Sequence, residues 1–113
     1  MSINQWEIWD VDFNPTKGQE ISKTRPAILV NDQSLGKLKL KIVIPITDVP
    51  YPNIWHESIK NSKSNGLTKD CVADCFQLKS ISDDRFKNKR GKLEALYQSR
   101  IQLKLMLVLG IKI

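Results

Sequence analysis

The chain has 113 residues, 41% apolar and 27% charged, with 18 Lys/Arg against 12 Asp/Glu for a formal net charge of +6. That is one domain's worth of sequence, apolar enough to exclude a disordered chain and long enough to bury a core without a disulfide or metal staple. The opening MSINQWEIWD lacks the apolar stretch of a signal peptide and the longest apolar run, 105–109, is far too short to span a bilayer, so a cytoplasmic protein without membrane contact is expected.

WEIWDVDF (6–13) is rich in aromatic and β-branched residues and reads as a strand. Its apolar positions change parity between Ile8 and Trp9, which calls for a bulge or for a strand buried on both faces in a barrel. NPTKGQ (14–19) is a turn cluster, and loop character runs to about Thr24. PAILV (26–30) is a short buried strand with Pro26 at its first position. After the turn NDQSLGK (31–37), LKLKIVIPIT (38–47) alternates Leu38, Leu40, Ile42, Ile44 and Ile46 against Lys39, Lys41, Val43 and Pro45. This predicts a half-buried strand whose lysine-bearing face turns apolar toward its end, with an edge or irregularity at Pro45. DVPYPN (48–53) is a loop and IWHESIK (54–60) a strand. NSKSNG (61–66) is a polar turn whose Ser-Asn-Gly ending signals a hairpin, and CVADCFQLKSI (71–81) is a further strand. SDDRFKNKRGK (82–92) begins as a helical turn capped by Ser82 or Asp83 and continues as a basic loop. In LEALYQSRIQLKLMLVLG (93–110), Leu93, Leu96, Tyr97, Ile101, Leu105 and Val108 recur at helical spacing and Gly110 closes the helix. Five or more short strands ending in one amphipathic helix predict a mainly β fold: a small antiparallel barrel with the helix packed on it, one domain over 1–113.

The charge is uneven. Residues 1–32 hold three basic against five acidic residues, and residues 33–113 hold fifteen against seven. Such a basic field favours nucleic acid, an anionic surface or an acidic protein partner. Cys71 and Cys75 with the single histidine, His56, form a weak metal signal and read better as two buried thiols. Asp10 and Asp12 share a strand face that can take Mg²⁺, although such a pair is more often the wet face of a strand. There is no P-loop, G-x-G-x-x-G, nucleophile elbow or H-E-x-x-H, and one histidine excludes a two-histidine ribonuclease built within one chain. No cofactor is expected.

What remains is GQEISKTRP (18–26), which places Glu20, Lys23 and Arg25 within six residues, with Gly18 permitting close backbone approach. RNA cleavage without metal suits this set. The RNA's own 2′-hydroxyl attacks the adjacent phosphate, and the protein supplies positioning, a proton acceptor and donor, and cations for the phosphorane. A guanidinium binds phosphate oxygens bidentately and stays charged. Taken alone, an arginine such as Arg25 is more often a structural bridge with Glu20 or an aspartate. Thr47, at a strand end, can donate to phosphate, though a turn-capping threonine is the commoner case. His56 beside Trp55 can stack on a base or shuttle a proton, though a surface strand residue is the commoner case. Lys37, Lys39, Lys41, Lys60 and Lys63 form either an electrostatic footprint for RNA or a solvated edge.

The run W-E-I-W-x-V-x-F-N-P-T-x-G-x-E-x-x-K-T-R-P-A-I-L-V strongly resembles the opening of the MazF/PemK-like toxins of bacterial type II toxin–antitoxin systems. V-I-P-I-T resembles their strand ending in Pro-hydrophobic-Thr, and S-N-G-L-T-K-D-C-V-A-D-C-F-Q their G-L-x-x-D-S-V-x-x-x-Q hairpin. The match covers about residues 5–90 in the right order. It implies an SH3-like barrel, a homodimer, and sequence-selective, metal-independent cleavage of single-stranded RNA that inhibits translation and growth. It also implies a cognate antitoxin with an acidic C-terminal tail. On this resemblance Arg25 and Thr47 fall on the catalytic Arg and Thr, Glu20 on a loop acid that affects activity and is counted with them in the expected catalytic set, and Gln77 on a recurrent glutamine. Gly18, Gln19, Lys23, Gln77 and His56 make up the expected RNA-binding set. The chain departs from the pattern at Gln5, at Cys71, and at Asp48, which adds negative charge beside the phosphate site. Asp74 and Phe76 also stand where some members carry Arg and Asp. The alternative is a non-catalytic or gyrase-inhibiting binding protein of the same barrel fold.

Overall fold

The computed structural model describes residues 2–35 and 37–112. Its strands are β1 (Glu7–Asp12), β2 (Thr24–Leu29), β3 (Leu40–Thr47), β4 (His56–Ile59), β5 (Cys71–Asp74), β6 (Lys79–Ser82) and β7 (Phe86–Lys92), and the chain ends in α1 (Ala95–Leu109). All pairings are antiparallel, in the order β4-β5-β3-β2-β1-β7, with β6 also on β3. The mainly β architecture with a C-terminal helix expected from the sequence is present.

β3 is the spine. One edge carries β2, from Ala27↔Pro45 to Leu29↔Val43. The other carries β6 along its first half, Leu40↔Ser82 to Val43↔Lys79, and β5 at its end, Ile46↔Ala73 and Thr47↔Val72. Pro45 stands in the gap between those two pairings, the irregularity its missing N–H requires. The stretch 71–81, expected as one strand, is therefore two. A 3-10 turn at Cys75–Gln77 divides it, and the Asp74 carboxylate accepts the Phe76 amide at 3.2 Å.

The sheet is buried on both faces, which explains the unbroken apolar runs AILV and IVIPI. Ile8, Ile28, Ile44 and Ile46 pack under α1 with Ile101. Trp9, Val11, Phe13, Leu29 and Val43 form a second core on the opposite face. The parity change between Ile8 and Trp9 is a register shift against β7 that lets β1 feed both cores.

Three expectations are corrected. Residues 86–92 are a strand, not a loop. Phe86 is buried and meets Trp9 edge-on at 5.9 Å, and pairing with β1 outweighs the poor strand propensity of a lysine-rich run. In β3 the first half is inverted: Lys41 is 3% exposed, whereas Leu40 and Ile42 are 60% and 38% exposed. Ile44 and Ile46 lie beneath the helix, but its cover runs out before Ile42 and Leu40 on the same side. Lys41 shares the side of Val43, and its ammonium donates to the Leu38 carbonyl. Finally, Ser-Asn-Gly is not a tight hairpin turn. Asn65 is fully buried, accepting from the Ser62 and Leu67 amides and donating to the Lys60 carbonyl and Glu94. Gly66 (φ +70°) lies so close to β7 that a Cβ would stand 2.1 Å from the Arg90 carbonyl oxygen. The connection between β4 and β5 is thereby pinned to β7, and this pinning places Leu67–Lys69 at the site described next.

Candidate active site

The β2–β3 register brings two distant residues together. Ala27 pairs with Pro45, so two steps further along Arg25 comes opposite Thr47. Arg25 is half-buried. Its Nε donates to the Ser22 carbonyl at 3.1 Å, and its Nη1 reaches the Thr47 hydroxyl at 3.5 Å. Both line a cavity of about 160 Å³, walled by Leu67, Thr68 and Lys69 from the β4–β5 connection and by Arg90 of β7. Arg90 is fixed from behind: Nε lies 2.7 Å from an Asp10 oxygen, and Nη1 donates to the Gly66 carbonyl at 3.3 Å. Three cations thus line the cavity against one carboxylate, that of Asp48, which pairs with Lys69 at 2.5 Å.

A larger open cavity of about 450 Å³ adjoins this one across Asp48 and Cys71, between β4, β5 and α1. Asp48 and Asp70 balance Lys60 and Arg100 there, so it lacks the excess positive charge that a phosphate site needs. Burial, together with the nearby Asp48 and Asp70 carboxylates, pushes the Cys71 thiol up to about 11. Burial pushes Cys75 up to about 12. Both are free thiols, as expected. Asp10 is committed to Arg90, and Asp12 accepts the Asn14 amide, so the two do not form a shared ion site. Among the described residues no group of three or more His, Cys, Asp or Glu is placed to hold a metal.

The loop before Arg25 is hydrogen-bonded from both sides. Gly18 (φ +58°) and Lys23 (φ +68°) both adopt the left-handed conformation, which is uncommon for lysine. The Lys23 amide donates to Asn14 Oδ1, and its carbonyl accepts from Phe13 N, both at 3.0 Å. Gln77 clamps the loop from the other side, accepting the Ile21 amide at 2.7 Å and donating to the Gln19 carbonyl at 3.1 Å.

The sequence-selected residues therefore separate. Arg25 and Thr47 share one cavity. Glu20, Gln19 and Gln77 line a neighbouring groove of about 350 Å³ with Phe76, Leu78 and Lys79. The Glu20 carboxylate accepts the Lys17 amide at 2.9 Å and lies 3.8 Å from Lys79 Nζ. Gly18 and Lys23 are exposed on the loop. His56 is only 7% exposed, so its ring is not free to stack on a base. Its Nδ1 accepts the Asn53 amide at 2.8 Å, and its Nε2 lies 3.7 Å from Asp74. Buried Lys41 likewise leaves the lysine footprint.

Sequence reasoning missed Arg90 and Lys69. The available signal was Gly91, a glycine inside a strand, which marks close backbone approach. A Cβ there would stand 2.2 Å from the Ser64 carbonyl oxygen.

Fold and pocket define a small antiparallel β protein with a cationic cavity where its two central strands pair. The chain belongs to the family of PemK-like, MazF-like toxins of type II toxin–antitoxin systems, whose model matches residues 4–109. It is 26% identical over 99 residues to endoribonuclease MazF9 of Mycobacterium tuberculosis, covering 82% of this chain and 84% of that protein. Its fold matches the crystal structure of MazF from Deinococcus radiodurans with a TM-score of 0.84 at 18% identity, over 98% of this chain and 99% of that one. A mycobacterial endoribonuclease solved in complex with its cognate antitoxin matches with a TM-score of 0.79 at 12% identity, over 98% of both chains. The family resemblance carried by the sequence is thereby borne out. Among the described residues no helix is long and apolar enough to cross a membrane.

Proposed function

We propose that this toxin is an endoribonuclease that cuts single-stranded RNA at short sequence motifs without a metal, with Arg25 and Thr47 holding the scissile phosphate. The observation that carries this reading is the meeting of a guanidinium and a hydroxyl from separate strands, 3.5 Å apart, in a cavity with excess positive charge. The reaction balances within the RNA. The 2′-oxygen forms a bond to phosphorus as the P–O5′ bond breaks. The 2′-hydroxyl gives up a proton, the departing 5′-oxygen takes one, and a 2′,3′-cyclic phosphate and a 5′-hydroxyl result. Arg25 neutralises the charge that grows on the phosphorane, and Thr47 orients a non-bridging oxygen. Gln77 and Glu20 set the loop that anchors Arg25 through Ser22. Gln19 and the adjoining groove, with Gly18 and Lys23 on the loop rim, guide the RNA strand. Acting on mRNA, the toxin works in the cytoplasm as a single-domain chain paired in a homodimer, and a cognate antitoxin with an acidic tail neutralises its basic surface.

The test is incubation of bulk RNA with purified protein in EDTA. Fragments with new 5′-hydroxyl ends are expected from the wild type. Arg25→Ala should lower the rate by about 10² to 10³ while leaving the fold intact, the usual effect of losing one such charge-stabilising group. Wild-type cutting by Arg25→Ala would overturn the assigned role. Intact RNA together with blocked DNA supercoiling by gyrase would overturn the activity.

A further inference from the structure

We propose that Lys69 is a second phosphate-binding cation of this site, and that Asp48 is its resting partner, which the RNA phosphate displaces. The inference rests on the nuclease reading above and extends it to two residues that nothing in that reading uses.

The three cations lining the cavity are not equivalent. Arg25 is anchored to Ser22 and faces Thr47. Arg90 is spent on Asp10 and the Gly66 carbonyl. Among the described residues Lys69 pairs with the Asp48 carboxylate alone, and both side chains are largely exposed, at 70% and 56%. An exposed ion pair of this kind is weak, screened by salt and entropically costly to hold, so an incoming anion can replace one partner. Lysine suits the exchange because its ammonium is a point charge on a flexible stem and carries three donors.

Charge counting points the same way. A phosphodiester brings one negative charge, and the phosphorane carries a second. Arg25 alone balances one. Asp48 directly follows Thr47, so it would repel the phosphate if it were unpaired. With Lys69 beside it, that charge is neutralised at rest. Once the ammonium turns toward the phosphate, Lys69 supplies the second positive charge, and the repulsion from Asp48, whose side chain is 56% exposed on the rim, is weakened by water and salt. The Asp48–Lys69 pair is therefore a compensated departure rather than a defect. Asp48 keeps the cation at the mouth of the cavity and sets how readily it is given to the substrate.

The experiment compares wild type, Lys69→Ala, Lys69→Arg and Asp48→Asn on one in vitro transcript with mapped cut sites. Binding is read on a 2′-deoxy copy of a segment spanning one cut site. Lys69→Ala should lower kcat/KM at least 10-fold and reduce the slope of log K against log salt concentration by about 0.7, the share of one phosphate contact on a single strand. Lys69→Arg should recover most of both. Asp48→Asn should bind the 2′-deoxy RNA more tightly than wild type. Because both side chains are exposed, thermal melts should overlay and exclude misfolding as the cause. If wild type cuts and Arg25→Ala does not, but Lys69→Ala matches wild type in rate and salt slope, this proposal alone is overturned. If wild type leaves the transcript whole, both readings are overturned together.

Discussion

Glu7 shows how a single buried residue sets a pH limit on this fold. Its carboxylate is nearly enclosed beside β7. Burial pushes its pKa up, but hydrogen bonds from Lys89, the Asn4 amide, Trp9 Nε1 and the Asn4 side chain outweigh this and hold it below the ordinary carboxylate value of 4.5. Lys89 Nζ lies 2.7 Å from Glu7 Oε2, and Trp9 Nε1 donates to Oε1 at 3.0 Å. A depressed folded-state pKa stabilises the protein above the unfolded value, and that contribution is lost as the pH falls through the folded one. Glu7→Gln should therefore cost about 1–3 kcal/mol at pH 7. The gap to wild type should narrow below about pH 4.5, where the unfolded chain's carboxyl takes up a proton while the folded one stays charged, until the folded carboxyl also protonates. Denaturant unfolding at pH 7 and pH 3 measures it, and an equal gap at both values would refute the linkage. That Arg25 and Thr47 meet in one cavity was legible because the residues around them carry a family pattern. The place of His56 was not, because nothing in W-H-E says that its ring is buried, with Nδ1 accepting the Asn53 amide and Nε2 facing Asp74. Lys69 was one lysine among many until Asp48 was seen beside it.

At the scale of elements, the decisive device is the connection between β4 and β5. Asn65 locks it internally, and Gly66 and Gly91 let it touch β7 backbone to backbone. Gly66→Ala forces a Cβ to within 2.1 Å of the Arg90 carbonyl oxygen and also strains a residue at φ +70°. Overpacking of this kind typically costs about 1–3 kcal/mol. The backbone must yield, and the segment that yields carries Lys69 on one side and Arg90 on the other. The variant should thus lose both stability and RNA binding, whereas Gly18→Ala, which meets open space, should lose less stability despite its own positive φ. Chemical unfolding and binding of a 2′-deoxy RNA separate the two variants, and equal losses would contradict the packing argument. The elements themselves were legible to different degrees for a physical reason. β1, β2 and α1 advertise their burial through their own apolar residues. Apart from Phe86, β7 is made of Lys, Asn, Arg and Gly, and it becomes a strand because β1 pairs with it. Non-local pairing of that kind leaves no periodicity to read.

At the scale of the whole molecule, α1 has more apolar surface than one chain can cover. Ile101 is buried, and Leu105 and Val108 pack on the same core. Leu96, Leu103 and Leu107 are 59%, 62% and 52% exposed. Spaced seven and four residues apart, these leucines form a stripe along the outer face. Leu96, which the sequence pattern groups with the inward set, belongs to this stripe. Periodicity finds a helix but cannot tell an inner leucine face from an outer one. A leucine stripe open to water is costly, since burying one such side chain is worth about 1.5–3 kcal/mol. A second copy related by a two-fold axis would cover the stripe with its own, the self-complementary contact of a homodimer. Wild-type protein at micromolar concentration should then sediment at twice the chain mass. Leu103→Glu combined with Leu107→Glu should sediment as a monomer at the same concentration. Both substituted side chains point away from the core, so the near-ultraviolet signal of Trp9 against Phe86 should be unchanged in the monomer. A dimer that survives both charges would place the interface elsewhere, with the exposed row Leu38, Leu40 and Ile42 on and before β3 as the next surface to substitute.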